Sequence, residues 1–341
     1  MIIVLSLPLA SDQGHVLVAV RFEEAQGEAK QKALHGFRPT AAPAWRELLY
    51  SRSQAATLIR LERFDATYLL PRGGATSALI SRTVVVVGCG AIGSHAVERL
   101  AALGIGRLRL VDPDILRPEN VHRHVLGARY VGSKKVEGLG EELGYRFPHI
   151  TVEHRDTRIE TILQQAPEFV LEADLLLIAI GDETLELRLN DLLRQRMPRL
   201  HAWLEPLGIG GHVLAMGVAR SAGCLHCLFP PDATYGLTNA AAFAQPGQAF
   251  QRTYAGCAGT FTPFAGTDAD RTALEAATLA VRILMHEETD NVLVSWFGDP
   301  SHFVQAGFAL SPRARLFQPG ERRRETRYAR GDCPICRDIG A

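Results

Sequence analysis

Four of the six cysteines stand as two Cys-x-x-Cys pairs, Cys224–Cys227 and Cys333–Cys336. Four paired thiolates close a tetrahedral zinc site and leave no position open for a substrate, so this spacing reads as a structural Zn2+. A redox dithiol is the alternative, but one shared metal accounts better for two matched pairs. Far upstream, the run Thr83-Val-Val-Val-Val87 leads into Gly88-Cys-Gly-Ala-Ile-Gly93. There Gly88 makes a tight turn, Gly90 lets a phosphate approach the backbone, and Gly93 lets the next helix pack on the strand. The helix start supplies free N–H groups and the positive end of a dipole. Asp112 follows Gly88 by 24 residues, at the end of the next expected strand, where a carboxylate can hydrogen-bond a ribose. The pattern points to an adenine nucleotide without separating NAD from ATP, and a glycine turn that binds nothing stays open.

The residues beyond Asp112 bear on that choice. A dinucleotide pyrophosphate needs little further charge, whereas attack on an α-phosphate needs cations to neutralise developing negative charge. Arg123 and Lys135 suit that role, and Asn120 can orient a phosphate or acyl oxygen. Asp182, just past a buried strand, can hold Mg2+ through oxygen. Each also has a plain alternative: surface charges for Arg123 and Lys135, a turn former for Asn120, a helix cap for Asp182.

These groups require a scaffold of alternating elements. Strands are expected at 83–87, 107–111, 151–154, 174–180, 199–203 and 212–218, with helices over 94–103, 133–145, 159–165 and 185–196. Consecutive apolar residues in the strands indicate burial on both faces, and the alternation is that of a doubly wound α/β fold, a Rossmann-like, mostly parallel sheet. Residues 1–80 read as a separate small α+β accessory domain. Its strands are expected at 1–9 and 15–22 around a turn at 11–14, with helical stretches at 23–34 and 45–61. Residues 81–341 form the second domain. Residues 230–267 are rich in Gly, Ala, Pro, Thr and Gln and read as a long mobile loop over a site. A helix over 269–286 and strands at 292–297 and 302–308 follow, and Arg322-Arg-Arg324 reads as a solvated linker face. His226, between two ligand cysteines, is expected on the surface, and Cys89 as packing within the turn.

Lys plus Arg equals Asp plus Glu, 37 each in 341 residues, so neither nucleic acid nor an anionic membrane is called for. No apolar run is long enough to span a bilayer, and the apolar start lacks a basic flank, so it reads as a strand rather than a signal peptide. Cysteine usage places the chain in a reducing, cytoplasmic compartment.

The segments Gly88-Cys-Gly-Ala-Ile-Gly-Ser, Leu-Val-Asp112-Pro-Asp114, Asn120-Val-His-Arg123-His, Val131-Gly-Ser-Lys-Lys135 and Cys224-Leu-His-Cys227-Leu-Phe-Pro together resemble the ubiquitin-activating-enzyme superfamily, in its bacterial ThiF/MoeB/HesA branch. The resemblance covers about 81–336 and is weaker in the long loop. It implies a usually dimeric enzyme that uses MgATP to adenylate the C-terminal glycine of a ubiquitin-like protein. On that resemblance Asp112 holds the ribose, Asn120, Arg123 and Lys135 serve the phosphates, and Asp182 the magnesium. Several members carry a cysteine where Cys257 stands, which takes the activated carrier as a thioester or persulfide; an inert, buried thiol is the alternative. The run after Cys257 departs from the family's apolar, glycine-rich pattern. The Arg-Gln pair expected before Thr83 is missing, leaving Arg63 and Arg72 as substitutes.

Two downstream roles compete: transfer of the carrier to a separate conjugating enzyme, favoured by the extra 80 residues and the altered loop, and sulfur-carrier activation for thiamine or molybdopterin synthesis. An NAD-dependent oxidoreductase and a catalytically dead carrier-binding scaffold are the rivals from other classes.

Overall fold

The computed structural model describes residues 2–8, 15–22, 56–194, 196–219, 223–253 and 260–336. They fall into two compact units, one ending at Phe64 and the other beginning at Asp65. In the first, β1 (Ile2–Pro8) and β2 (His15–Phe22) pair antiparallel, and β3 (Ala56–Ile59) pairs antiparallel with β2. The helix expected over 45–61 is therefore corrected at its C-terminal end. Thr57 and Ile59 are β-branched and lose less side-chain freedom on a pleated ladder than in a helix. Residues 45–55, the turn at 11–14 and the stretch 23–34 lie outside the described residues.

The second unit opens with α1 (Ala66–Arg72), which buries Leu70, and a single turn that buries Leu79. Its centre is an eight-stranded sheet in the order β11-β10-β9-β8-β7-β4-β5-β6. The strands are β4 (Thr83–Val87), β5 (Arg107–Val111), β6 (Thr151–Arg155), β7 (Leu175–Ile178), β8 (Arg199–Leu204), β9 (Gly210–Met216), β10 (Val292–Phe297) and β11 (Arg322–Glu325). The five from β6 to β8 are parallel; β9, β10 and β11 extend the sheet antiparallel.

The four valines of β4 are divided between two cores. Val84 and Val86 pack with α2 (Ala91–Ala102), α3 (Lys135–Arg146) and α7 (Gly266–Leu284) through Ala96, Leu100, Leu139 and Ala276. Val85 and Val87 pack on the other face with α4 (Ile159–Gln165), α5 (Glu168–Leu171) and α6 (Glu183–Leu192). Successive side chains of a strand point to opposite faces, so a strand covered by helices on both sides must be apolar throughout. Alanines of α7 let it lie close along α2, and Arg99 of α2 pairs with Asp270 of α7 at 2.9 Å.

Chain direction across the sheet fixes where a site can form. The chain runs outward from β4 to β5 and β6, then returns to the other side of β4 as β7. Loops leaving β4 and β7 consequently diverge and open a crevice beyond their C-terminal ends, the usual ligand position in open α/β sheets.

Three further expectations are corrected. Residues 302–308 form no strand; Ser301–Gln305 is a short helix, α8, begun by Asp299 accepting from the Ser301 N–H and followed by Gly307 at φ 87°. Arg322-Arg-Arg324 is no linker but the edge strand β11, with Arg322 paired to Glu275 and Arg324 to Glu288. Charged side chains are a common guard on an exposed sheet edge. The loop over 230–267 is partly core: Ala241, Phe243 and Ala244 are buried, and Phe243 packs edge-on to Phe297 and Phe317. No helix among the described residues is long and apolar enough to cross a membrane.

Candidate functional site

The glycine turn joins β4 to α2, and each glycine has a separate steric reason. Gly88 sits at φ +85°, where a side chain would also lie 2.5 Å from the Ala179 carbonyl oxygen. A methyl on Gly93 would lie 1.8 Å from the Gly88 carbonyl oxygen, so only glycine lets α2 close on the turn. Gly90 is different: nothing lies within 4 Å of the position its side chain would take. Its backbone faces open space at the start of α2, where unpaired N–H groups and the helix dipole favour an anion.

Asp112, at the end of β5, ties this turn in place. It accepts from the Cys89 N–H at 2.7 Å and from the Asp114 N–H at 2.8 Å. Burial pushes its carboxyl up, and Lys135 and the two N–H donors pull it back down. Lys135, at the start of α3, is itself buried and sets its ammonium 2.7 Å from Asp114.

A cavity of about 420 Å³ opens over the C-terminal ends of β4, β5 and β7. It gathers six of the residues singled out in the sequence: Gly88, Gly90, Asp112, Asp114, Lys135 and Asp182. Gly93 stands behind it, packing the helix. Asp182 does two things at once: its carboxylate caps α6 by accepting from the Leu185 N–H at 3.0 Å, and it faces the cavity. The helix-cap alternative is thus realised without removing the residue from the site.

Beside Gly90 lies a pocket of about 130 Å³ that brings together Asn120, Arg123, His124, Lys135 and Phe264. Asn120 shapes its own turn, accepting from the Arg117 N–H at 3.0 Å. The Arg123 guanidinium lies over the Phe264 ring, 4.9 Å from its centre, a cation–π contact that holds it at the pocket rather than in solvent. The third space, a groove of about 420 Å³, also begins at Gly90 and Ala91 and runs across the ends of β7 and β8. Its walls include Trp203, Phe229, Phe250 and Phe264. Gly90 and Ala91 are common to pocket and groove, and Gly90 to all three spaces.

Sequence reasoning missed several residues here. His124 is buried; its Nε2 donates to the Cys89 carbonyl at 2.8 Å while its Nδ1 accepts from the Leu126 N–H at 3.0 Å. Those two bonds fix one neutral tautomer, and burial holds the imidazole down at about 4. His124 had appeared within the quoted motif, but nothing in its spacing showed that it would reach back 35 residues to clamp the turn. Arg158 and Arg188, which add positive charge to the large cavity, carried no sequence signal at all.

The second site is a cluster of four thiols. Sγ atoms of Cys224, Cys227, Cys333 and Cys336 all lie within 4.8 Å of one another. The Cys224–Cys333 and Cys227–Cys336 separations are 3.8 and 3.6 Å. Zn–S bonds of about 2.3 Å in a tetrahedron set the sulfurs about 3.8 Å apart, so these two separations match a Zn2+ site and the four thiols are close enough to share one ion. The cluster packs against Leu214 and Met216 of β9 and Leu293 of β10, joining the C-terminal segment to the antiparallel half of the sheet. His226 is half-buried, with its Nε2 3.0 Å from Asp191, which corrects the expected surface position. Cys89 is fully buried in the core, as expected. Cys257 lies outside the described residues. Arg72 stacks over Tyr68 at 4.3 Å and lines none of the three spaces, and Arg63 belongs to the N-terminal unit.

The chain is 33% identical over 176 residues to the ATP-dependent ubiquitin transferase-like protein Cap2 of Pseudomonas aeruginosa, covering 50% of this chain and 31% of that protein. It is 28% identical over 175 residues to the SAMP-activating enzyme E1 of Haloferax volcanii, covering 50% of this chain and 63% of that one. The chain therefore spans about a third of the first relative and under two thirds of the second. Among solved structures, E. coli MccB superposes with a TM-score of 0.55 over 76% of this chain and 66% of its own, at 19% identity, a likeness of fold. The ThiF family model matches residues 67–296, well over half of the chain and all of the glycine turn, the Asp112–Lys135 segment and the first cysteine pair. This chain belongs to the ThiF family.

Proposed function

We propose that the chain is an adenylyltransferase that activates the C-terminal glycine of a ubiquitin-like protein with ATP. The observation that carries this reading is the meeting of three spaces at Gly90: a cavity with a ribose-compatible carboxylate, a cationic pocket, and a groove of about 420 Å³ walled by aromatic rings.

Asp112 accepts from the ribose hydroxyls, and the backbone of the turn and the start of α2 receive the phosphates. The carrier's terminal carboxylate, entering along the groove, attacks the α-phosphorus. An oxygen–phosphorus bond forms, the bond to the β-phosphate oxygen breaks, and pyrophosphate leaves with that electron pair. Negative charge grows on the α-phosphoryl oxygens and the leaving group, and Lys135, released from Asp114, and Arg123 would neutralise it. Asn120 orients an acyl or phosphoryl oxygen. Asp182, with Asp114, would hold Mg2+, which supplies charge neutralisation for the triphosphate. The product acyl-adenylate is a far better acyl donor than the carboxylate. Cys257 then takes the acyl group as a thioester, its thiolate displacing AMP. The cationic pocket favours a triphosphate over a dinucleotide and so weighs against an oxidoreductase.

Of the two downstream roles we favour conjugation through a separate enzyme, because the Pseudomonas relative is named as ubiquitin transferase-like and a further unit precedes residue 65. Pyrophosphate exchange into ATP, measured with a glycine-ended ubiquitin-like protein, tests the proposal. Exchange that depends on the terminal glycine is expected; binding of NAD with no exchange against any such carrier would overturn it.

A further inference from the structure

Arg199, the first residue of β8, is 2% exposed. A guanidinium keeps its charge at physiological pH, and a buried charge is normally matched by an opposite one. Arg199 has no such match among the described residues. Its Nη1 donates to the Leu193 carbonyl at 3.3 Å, and its Nη2 to the Asn190 carbonyl at 3.5 Å and to Asn190 Oδ1 at 3.2 Å, all neutral acceptors. Its Nε is buried and has no acceptor among the described residues. Asp191 is engaged elsewhere: its Oδ1 lies 3.0 Å from Nε2 of His226 and accepts from the Asn190 amide at 3.1 Å.

The β-ladder shows which way this cation faces. Arg199 stands opposite Met216 of β9, and directly opposed residues of an antiparallel pair share one face of the sheet. Met216 packs on the cysteine cluster. Asn190 closes the link, because the Oδ1 that accepts from Arg199 also accepts from the Leu225 N–H at 3.2 Å, and Leu225 follows Cys224. Burial pushes the guanidinium down, and Cys224 leads the groups that hold it up, ahead of Tyr328 and Asp191. Arg330, whose backbone N–H reaches Cys227, has its own carboxylate in Asp332 at 3.2 Å.

Resting on the match of the four thiols to Zn2+, and not on adenylation, we infer that Arg199 is the buried counter-cation of the zinc–thiolate cluster, with Asn190 holding it in place. Four thiolates around one Zn2+ carry a net charge of about −2. Each half then answers the other: the guanidinium lacks an anion until the thiols give up their protons to the metal, and the cluster lacks a cation without Arg199. Arg199 is thus a positioning residue, acting on the metal through the sulfurs. Because Asn190 belongs to α6 and Arg199 to β8, metal occupancy draws both elements toward the C-terminal cysteine pair.

The test compares the full chain with Arg199→Met and Arg199→Lys. Zinc affinity is read by competition with a chromogenic chelator, and urea midpoints are taken with and without zinc. Arg199→Met should hold zinc roughly ten- to a hundredfold more weakly, and Arg199→Lys should recover most of that loss. Without metal the sign reverses: removing an unmatched buried charge should leave the urea midpoint unchanged or raise it. The Co2+-loaded chain gives a readout that does not depend on unfolding. A nearby cation lowers the energy of the thiolate electrons, so the thiolate-to-cobalt charge-transfer band should move to longer wavelength in Arg199→Met and return in Arg199→Lys. Equal zinc affinity with an unshifted band, or a loss of stability in Arg199→Met that is the same with and without zinc, would overturn this inference and leave adenylation standing. A full chain that takes up no zinc would overturn it together with the zinc assignment.

Discussion

Protonation of one buried histidine should loosen the nucleotide turn, and the size of the effect can be worked out. His124 holds the Cys89 carbonyl through Nε2 and receives the Leu126 N–H at Nδ1, so a second proton has no acceptor and breaks the latter bond. Its ordinary value of 6.5 falls to about 4 in the fold; burial is the main cause, Lys135 and His95 push the same way, and the Cys89 carbonyl opposes them. The neutral form is thus favoured by the folded state. Its stabilisation is complete above pH 6.5, where both states are neutral at this ring. It is lost as pH falls from 6.5 toward 4, where the unfolded chain binds a proton that the folded one resists. At pH 4 the loss amounts to about 3 kcal/mol, from a gap of 2.5 pKa units at about 1.36 kcal/mol each less the half-protonation of the folded state. His124→Gln removes the titration and, at neutral pH, costs about 1–2 kcal/mol of hydrogen bonding. Urea midpoints of the two proteins from pH 7 to pH 4 should therefore converge and cross as pH falls. Taking the difference between them cancels the other groups, including Asp112 and Glu183, whose raised carboxyls act in the opposite direction. A difference that stays constant across that range, or an imidazole resonance of His124 that titrates near 6.5, would refute the reasoning.

Removing charge from the pocket tests the chemistry: Arg123→Ala or Lys135→Ala should cut carrier-dependent pyrophosphate exchange roughly a hundredfold or more, with melting temperature little changed for the Arg123 variant. The glycines separate fold from binding, since Gly93→Ala collides with the Gly88 carbonyl and should lower the melting temperature by many degrees. Gly90→Ala meets only open space and should fold normally while weakening ATP binding, read by calorimetry. Metal analysis should find one zinc per chain, lost in Cys333→Ser. Because Leu225 and Phe229, on either side of Cys227, line the groove, chelation should weaken carrier binding several-fold more than ATP binding.

Much of this site was legible because its constraints are local. The valine run, the glycine spacing and Asp112 are close in sequence and each answers one steric or electrostatic demand, so their places in the turn were readable from the sequence. The parallel half of the sheet followed from the same periodicity. What escaped was decided at long range. His124 gained its contact by folding back to Cys89, and Phe264 met Arg123 only because α7 begins beside the 122–124 turn. There a side chain on Gly266 would lie 2.5 Å from the His122 carbonyl. The misread segments share a cause. Residues 56–59, 302–308 and 322–324 are short, and short apolar or charged runs acquire their conformation from neighbours: β2 for the first, the Asp299 cap for the second, β10 for the third.

The antiparallel half of the sheet gives the family's nucleotide fold a second task. A parallel sheet that ended at β8 would offer the crevice at β4 and β7 and little beyond it. Adding β9, β10 and β11 provides a floor on which the cysteine cluster can be anchored, through Leu214, Met216 and Leu293. The cluster in turn fixes Leu225 and Phe229, and buried Glu205, another lining residue, is held by the Ala244 N–H and His212. Both anchors are rigid for the same reason: a polar group buried without its partners would cost more than the contact costs to keep. The groove wall is therefore stiff where it meets the glycine turn. On the proposed reading, such stiffness would present a peptide terminus to a phosphate in one orientation, and a large part of the barrier to adenylation would be removed before any bond changes.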